Sequence, residues 1–188
     1  RVIQMGEQPS RVFDVGSLGV ENIKAVPLMT KDELEASLDF KIDTQTILVT
    51  YHPVTLGGDP AKDIHEFLEA LDQFKDLKVI FTMPNSDTGR DAIALAVENY
   101  VEKHSNSAKA YTSLGLKRYL STLQFVKAAV GNSSSGIIEV PSFGIPTLNI
   151  GDRQKGRLAS KSVVNCTFAI LYQFCIREVF FTRTCNKI

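Results

Sequence analysis

At 188 residues the chain is long enough for one domain, or two small ones, with a sizeable core. Apolar residues make up 44% and charged residues 22%, an ordinary balance for a globular protein. With 21 Lys+Arg against 21 Asp+Glu the formal net charge is zero, which excludes the basic excess of a nucleic-acid footprint. Cys166, Cys175 and Cys185 are odd in number and lack C-x-x-C spacing. They suggest neither a zinc site nor a disulfide framework, and they fit a reducing cytoplasm. No signal peptide or membrane-spanning run is read, so no membrane partner is expected. The sequence opens on Arg1 in mid-pattern without an initiator Met, as a fragment or a processed chain would.

Taken in order, residues 1–16 read as a short helical end, a turn at Gly6–Pro9 and a strand at Val12–Val15. Ser17-Leu18-Gly19 opens a helical piece over Val20–Ala25, the end of a preceding unit or a hinge. Thr30-Lys31-Asp32-Glu33 is a capping box for a short helix ending before Asp39. Thr46–Tyr51 is a β-branched buried strand, stopped by His52-Pro53. After a loop at Val54–Gly58, Asp59-Pro60 caps a helix striped by Ile64, Phe67, Leu68, Leu71 and Phe74. Val79–Thr82 is the next strand, followed by the polar loop Pro84–Gly89 and a helix with Ile93, Ala96, Val97, Tyr100 and Val101 on one face. Ala108–Thr112 is a strand, and Leu116, Tyr119, Leu120 and Leu123 mark another helix. Ala128–Val130, Pro146–Ile150 and Ser162–Cys166 complete the strands. His65 and His104 lie on helices and read as surface groups. Thr167–Ile188 is dense in Phe and β-branched residues without a helical stripe. Gln173, Arg177 and Glu178 interrupt it too often for a membrane span, so it reads as an edge strand pair or an altered terminus.

Strand and helix thus alternate from about Thr46 to Cys166. The expectation is an α/β fold with a doubly wound, Rossmann-like parallel sheet covered on both faces. Polar loops then follow every strand on one edge, where such sheets bind ligands. The most informative is Gly131–Gly136, GNSSSG, rich in donors and free of bulk. Small residues let backbone N–H groups approach an anion, and the N-terminus of an expected helix over Ile137–Phe143 adds about half a positive charge. A serine-capped helix with no ligand is the alternative. The loop lacks the Lys of a phosphate-binding P-loop and the G-x-G-x-x-G of dinucleotide folds. Gly151-Asp152-Arg153 leaves the sheet on the same edge, one strand along. Two donor sets converging on one crevice favour an anion.

Five segments occur in one order: GSLGVEN (Gly16–Asn22), HPVT (His52–Thr55), PNSDTG (Pro84–Gly89), GNSSSGIIEV (Gly131–Val140) and GDRQKGR (Gly151–Arg157). Together they resemble the carboxyl-terminal half of the UDP-N-acetylglucosamine 2-epimerases, in their hydrolysing branch. The non-hydrolysing branch would carry an HRREN-type segment after the histidine strand and a DSGG-type loop in place of Ser133-Ser134-Ser135. The resemblance implies the nucleotide-binding half of a GT-B-like two-domain fold. Residues 1–25 would be the end of the first domain and a hinge, 26–166 the UDP-binding domain, and 167–188 an atypical tail. It implies a UDP-sugar substrate, no cofactor and no metal, and a homo-oligomer in the full-length protein. The carboxylates that move the sugar C2 proton would lie in the first domain.

Residue by residue, the resemblance puts His52 at the diphosphate, where it would stabilise the leaving group together with Arg153. Ser133, Ser134, Ser135 and Gly136 would form the phosphate-binding turn, and Glu139 would accept both ribose hydroxyls. Asn85 and Asp87 would face the sugar nucleotide, and the backbone of Leu114 would read the uracil edge. Lys155 and Arg157 read as surface charges. The implied activity is hydrolysis with epimerisation of UDP-N-acetylglucosamine, yielding N-acetylmannosamine for sialic acid synthesis. The 188 residues alone are expected to be inactive. A 2,4-diacetamido-trideoxyhexose nucleotide is the alternative substrate. A GT-B glycosyltransferase or a non-catalytic nucleotide-binding module remain as readings of other classes.

Overall fold

The computed structural model describes residues 1–54 and 59–167. The expected loop at 55–58, with Thr55 of the HPVT segment, and the tail from 168 to 188 lie outside the described residues. Among the described residues, six strands form one sheet: β1 Thr46–Thr50, β2 Lys78–Thr82, β3 Ala108–Tyr111, β4 Ala128–Gly131, β5 Thr147–Ile150 and β6 Val163–Cys166. Their spatial order is β3-β2-β1-β4-β5-β6, and every neighbouring pair is parallel. This is the expected doubly wound α/β sheet. Its direction of growth reverses between β1 and β4, and a crevice opens there at the carboxyl ends of the strands.

The helices are α1 Leu18–Ala25, α2 Lys31–Leu38, α3 Pro60–Leu71, α4 Arg90–Lys103, α5 Gly115–Leu123 and α6 Ser135–Ile138. Strand residues alternate between two cores. Ile47, Val49, Val79 and Phe81 face one layer, with Ile64, Phe67 and Leu71 of α3 and Ile93 and Val97 of α4. Leu48 and Ile80 face the other, with Leu34 and Leu38 of α2 and Leu120 and Leu123 of α5. Helices on both faces explain why the strands read as near-continuous apolar runs.

Local signals behave as their chemistry requires. Thr30 Oγ1 accepts from the Glu33 N–H, while the Glu33 carboxylate accepts from the Thr30 N–H at 2.9 Å. Asp39 closes α2 in a left-handed conformation, where Lys109 Nζ bonds its carboxylate. Asp59 caps α3 through the Ala61 N–H, with Pro60 at the first position.

Two expected elements differ. No strand forms over Val12–Val15: Pro9–Arg11 is a 3-10 turn, and Phe13 and Val15 are both 77% exposed. A lone extended segment has no neighbour for its N–H and C=O groups, and the six strands of the sheet all lie later in the chain. The helix expected over Ile137–Phe143 is broken. One α turn ends at Ile138, and a 3-10 turn follows over Val140–Phe143. Pro141 has no N–H to give the Ile137 carbonyl and its ring crowds the preceding turn, so the α pattern cannot continue.

Candidate functional site

The crevice begins at the ends of β1 and β4, where Thr50 is in register with Gly131. Gly131 has φ 134°, and a Cβ there would lie 2.0 Å from the Thr50 carbonyl oxygen. Only glycine lets the two backbones pass this closely. One residue on, Asn132 is fully buried. Its Oδ1 accepts from the His52 N–H at 2.7 Å and its Nδ2 donates to the His52 carbonyl at 2.8 Å. The Asn132 carbonyl accepts from Arg153 Nη1 at 3.2 Å and from the buried Gln154 Nε2 at 2.8 Å. One side chain and one carbonyl thus join the ends of β1 and β4 to the loop after β5.

His52 is buried, and its Nδ1 accepts from the Asn85 N–H at 3.3 Å. With Nδ1 as acceptor, a neutral imidazole carries its proton on Nε2 and is a donor there. Burial first, then the Arg153 guanidinium, lower its pKa; Asp87 opposes them. A folded pKa below the unfolded one makes this group's contribution to stability complete above about pH 6.5 and lost as pH falls from there toward the folded value. The melting temperature of the wild type is therefore expected to fall below about pH 6.5. His52→Gln, whose amide oxygen can still accept from Asn85, is expected to flatten that fall; scanning calorimetry across the acid range of both proteins checks it.

The serine turn differs in detail from its expectation. α6 is one turn of four residues, so its dipole is small. The Gly136, Ile137, Ile138 and Glu139 N–H groups bond inside the turn, and the Ser135 N–H meets Ser133 Oγ at 3.4 Å. Among the described residues, the Ser133 and Ser134 N–H groups have no partner. The donors the turn has to spare are these two amides together with serine hydroxyls. Gly136 is small for packing: a Cβ would lie 2.8 Å from Thr147 Cγ2, and its carbonyl accepts from Thr147 Oγ1 at 2.6 Å.

Glu139 follows α6 and turns toward α1. A Cβ on Gly19 would lie 2.1 Å from Glu139 Oε1, so Gly19 is the residue that makes room for the carboxylate. Among the described residues, Glu139 Oε2 is a buried side-chain oxygen without a hydrogen-bond partner. Such an atom is costly unless a ligand or water satisfies it.

Of the remaining expected residues, Asn85 and Asp87 are exposed on the loop after β2, Asn85 joined to His52 through its backbone. Leu114 is buried at the start of α5, and its carbonyl accepts from Arg118 Nε at 2.9 Å. Lys155 is an exposed partner of Asp152, and the exposed Arg157 donates to Gln154 Oε1. His65 is exposed; His104 is half-buried at the end of α4, stacked on Tyr100 and 3.1 Å from Asp72. Asn132, Gln154, Gly19 and Tyr119 of α5, whose hydroxyl lies 2.5 Å from Ser135 Oγ, belong to the site but were not singled out from the sequence. The signal for Asn132 is a polar residue one step past an apolar strand. Its partner becomes visible only when β1 and β4 are known to be neighbours.

No helix among the described residues is long and apolar enough to cross a membrane. No cluster of three or more His, Cys, Asp or Glu among them could hold a metal ion.

The chain is 43% identical over 166 residues to the GDP/UDP-N,N'-diacetylbacillosamine 2-epimerase (hydrolyzing) of Campylobacter jejuni, covering 88% of this chain and 43% of that protein. It is 40% identical over 167 residues to the polysialic acid biosynthesis protein P7 of Escherichia coli, covering 88% and 42%. The chain thus spans less than half the length of these relatives. In fold it resembles the S. aureus MnaA–UDP structure, with TM-score 0.67 at 16% identity over 95% of this chain and 47% of that one. It also resembles the Methanocaldococcus jannaschii UDP-GlcNAc 2-epimerase in complex with UDP-GlcNAc and UDP, with TM-score 0.65 at 14% identity over 98% and 52%. The family model described as UDP-N-acetylglucosamine 2-epimerase matches residues 1–169, nine-tenths of the sequence, and the chain belongs to that family.

Proposed function

We propose that this chain is the nucleotide-binding half of a hydrolysing UDP-N-acetylglucosamine 2-epimerase, which releases UDP and N-acetylmannosamine for sialic acid synthesis in the cytoplasm. The observation that carries the reading is Glu139 Oε2, buried beside the serine turn and unpartnered among the described residues. A carboxylate has lone pairs for two donors at once, which suits the vicinal diol of a ribose. Ser133 and Ser134 face the diphosphate with amides and hydroxyls. Arg153, tethered lightly to the Asn132 carbonyl, closes on it from the loop after β5. His52 donates through Nε2. Asn85 and Asp87 lie toward the sugar, and the backbone at Leu114 toward the uracil.

In the proposed reaction a base takes the C2 proton, the C1–O bond breaks and its electron pair leaves with UDP. Water then adds across the resulting C1–C2 double bond, with a proton delivered to the opposite face of C2. The residues of this chain stabilise the negative charge that builds on the leaving diphosphate. The base comes from the first domain, with residues 1–25 as its end and hinge and 26–166 as the nucleotide domain. On this reading the 188 residues alone bind UDP weakly and turn over nothing, and the full-length protein is a homo-oligomer.

A second substrate is supported by the 43%-identical relative, whose name specifies diacetylbacillosamine: a 2,4-diacetamido-trideoxyhexose nucleotide. The test is a product assay with the full-length protein on both nucleotide sugars. Free N-acetylmannosamine from UDP-N-acetylglucosamine supports the first reading, and a free diacetamido sugar alone supports the second. Transfer of an unepimerised sugar to an acceptor would overturn both.

A further inference from the structure

We propose that Tyr119 is a positioning residue of the serine turn, donating its phenolic proton to Ser135 so that the Ser135 hydroxyl presents its own proton to a bound phosphate. This inference rests on the reading of Ser133–Gly136 as the phosphate-facing turn.

α5 carries Tyr119 to the underside of the turn, with its hydroxyl 2.5 Å from Ser135 Oγ. Burial is the main cause that pushes its pKa up to about 12, so the phenol keeps its proton at any ordinary working pH. A phenol is the stronger acid of the pair and an alkyl alcohol the better acceptor, so the tyrosine is the favoured donor. Its proton occupies one of the two lone pairs of Ser135 Oγ. Ser133 Oγ is occupied in the same sense by the Ser135 N–H at 3.4 Å. Each hydroxyl then accepts one hydrogen bond from within the protein, which leaves its own proton free to point outward. A turn wired in this way turns its hydroxyl protons toward an anion. A bound phosphate also polarises the Tyr119–Ser135 chain and strengthens it.

A pocket of about 10 Å³ beside the turn is lined by Tyr119, Ser133, Gly136, Thr147 and residues of β1 and β4. That is room for about one water molecule. The Tyr119 hydroxyl holds Ser135 from the side of this pocket.

The test compares UDP with uridine, each titrated into the chain and followed by NMR. Tyr119→Phe removes one oxygen and keeps the ring. The expected result is a UDP affinity lowered about three- to tenfold, the effect of one lost hydrogen bond, with uridine affinity unchanged. Ser135→Ala is expected to lose a similar factor, and the double variant no more than the larger single loss. Equal losses for UDP and uridine, or fully additive losses in the double variant, would overturn the inference. If the wild type itself holds uridine as tightly as UDP, the phosphate reading fails first and the role of Tyr119 fails with it.

Discussion

Replacing Asn132 with alanine is expected to destabilise the chain by about 2–5 kcal/mol and to weaken UDP binding at least tenfold. Asn132 is fully buried, and its amide makes both hydrogen bonds to the His52 backbone, at 2.7 and 2.8 Å. Truncation strands a buried N–H and a buried C=O, and each stranded group costs about 1–3 kcal/mol. Against a total stability of about 5–15 kcal/mol this is a large fraction. The affinity loss has a separate origin. Without the amide the end of β1 is free to move relative to β4, and the His52 ring shifts with its backbone. Asn132→Asp is the sharper variant. It keeps an acceptor for the His52 N–H but turns an oxygen toward the His52 carbonyl and adds a negative charge beside the proposed diphosphate. It is expected to bind UDP more weakly than the alanine variant. Urea unfolding and calorimetric titration of both variants check the two effects separately.

The second large effect is at Glu139, where affinity and stability are expected to move in opposite directions. Its Oε2 is buried without a partner among the described residues, so the carboxylate is a burden in the unliganded protein. Glu139→Gln removes the charge at nearly constant shape and is expected to leave the melting temperature unchanged or raise it. In the proposed complex the carboxylate would accept two ribose hydroxyls, each charge-assisted bond contributing about 1.5–3 kcal/mol. Glutamine has one acceptor where the diol offers two donors, so UDP affinity is expected to fall about ten- to a hundredfold. The ligand supplies the control. A UDP analogue lacking both ribose hydroxyls is expected to bind wild type and Glu139→Gln equally, while UDP separates them. A structural role for Glu139 alone would lower both affinities together. Gly19→Ala is expected to act through the same residue, because its methyl group would occupy the space of Glu139 Oε1.

The sheet was legible in the sequence because each strand is a short apolar run ending in a polar loop. Covered on both faces, Ile47–Val49 and Val79–Phe81 had to be apolar on both sides. The serine turn, His52 and Arg153 were legible for a related reason: they stand immediately after strands. Asn132 was not. It occurs in the same six-residue turn, but its work is done on His52, 80 residues away, and only the adjacency of β1 and β4 brings the two together. Glu139 was expected in the first turns of a longer helix. Pro141 ends that helix early, and the carboxylate sits instead at the joint between α6 and a 3-10 turn, against Gly19. At Val12–Val15 the β-branched pattern misled, because alternation without a neighbouring strand makes no sheet.

The proposed UDP site is the crevice between β1, β4 and the loop after β5. Titrating the isotope-labelled chain with UDP and mapping the shifted backbone resonances tests it. The expected result is saturable shifts confined to His52, Asn85, Ser133–Gly136, Glu139, Arg153 and the start of α5 near Leu114. Unmoved resonances at these positions at millimolar UDP, or saturable shifts clustered elsewhere on the sheet, would contradict it.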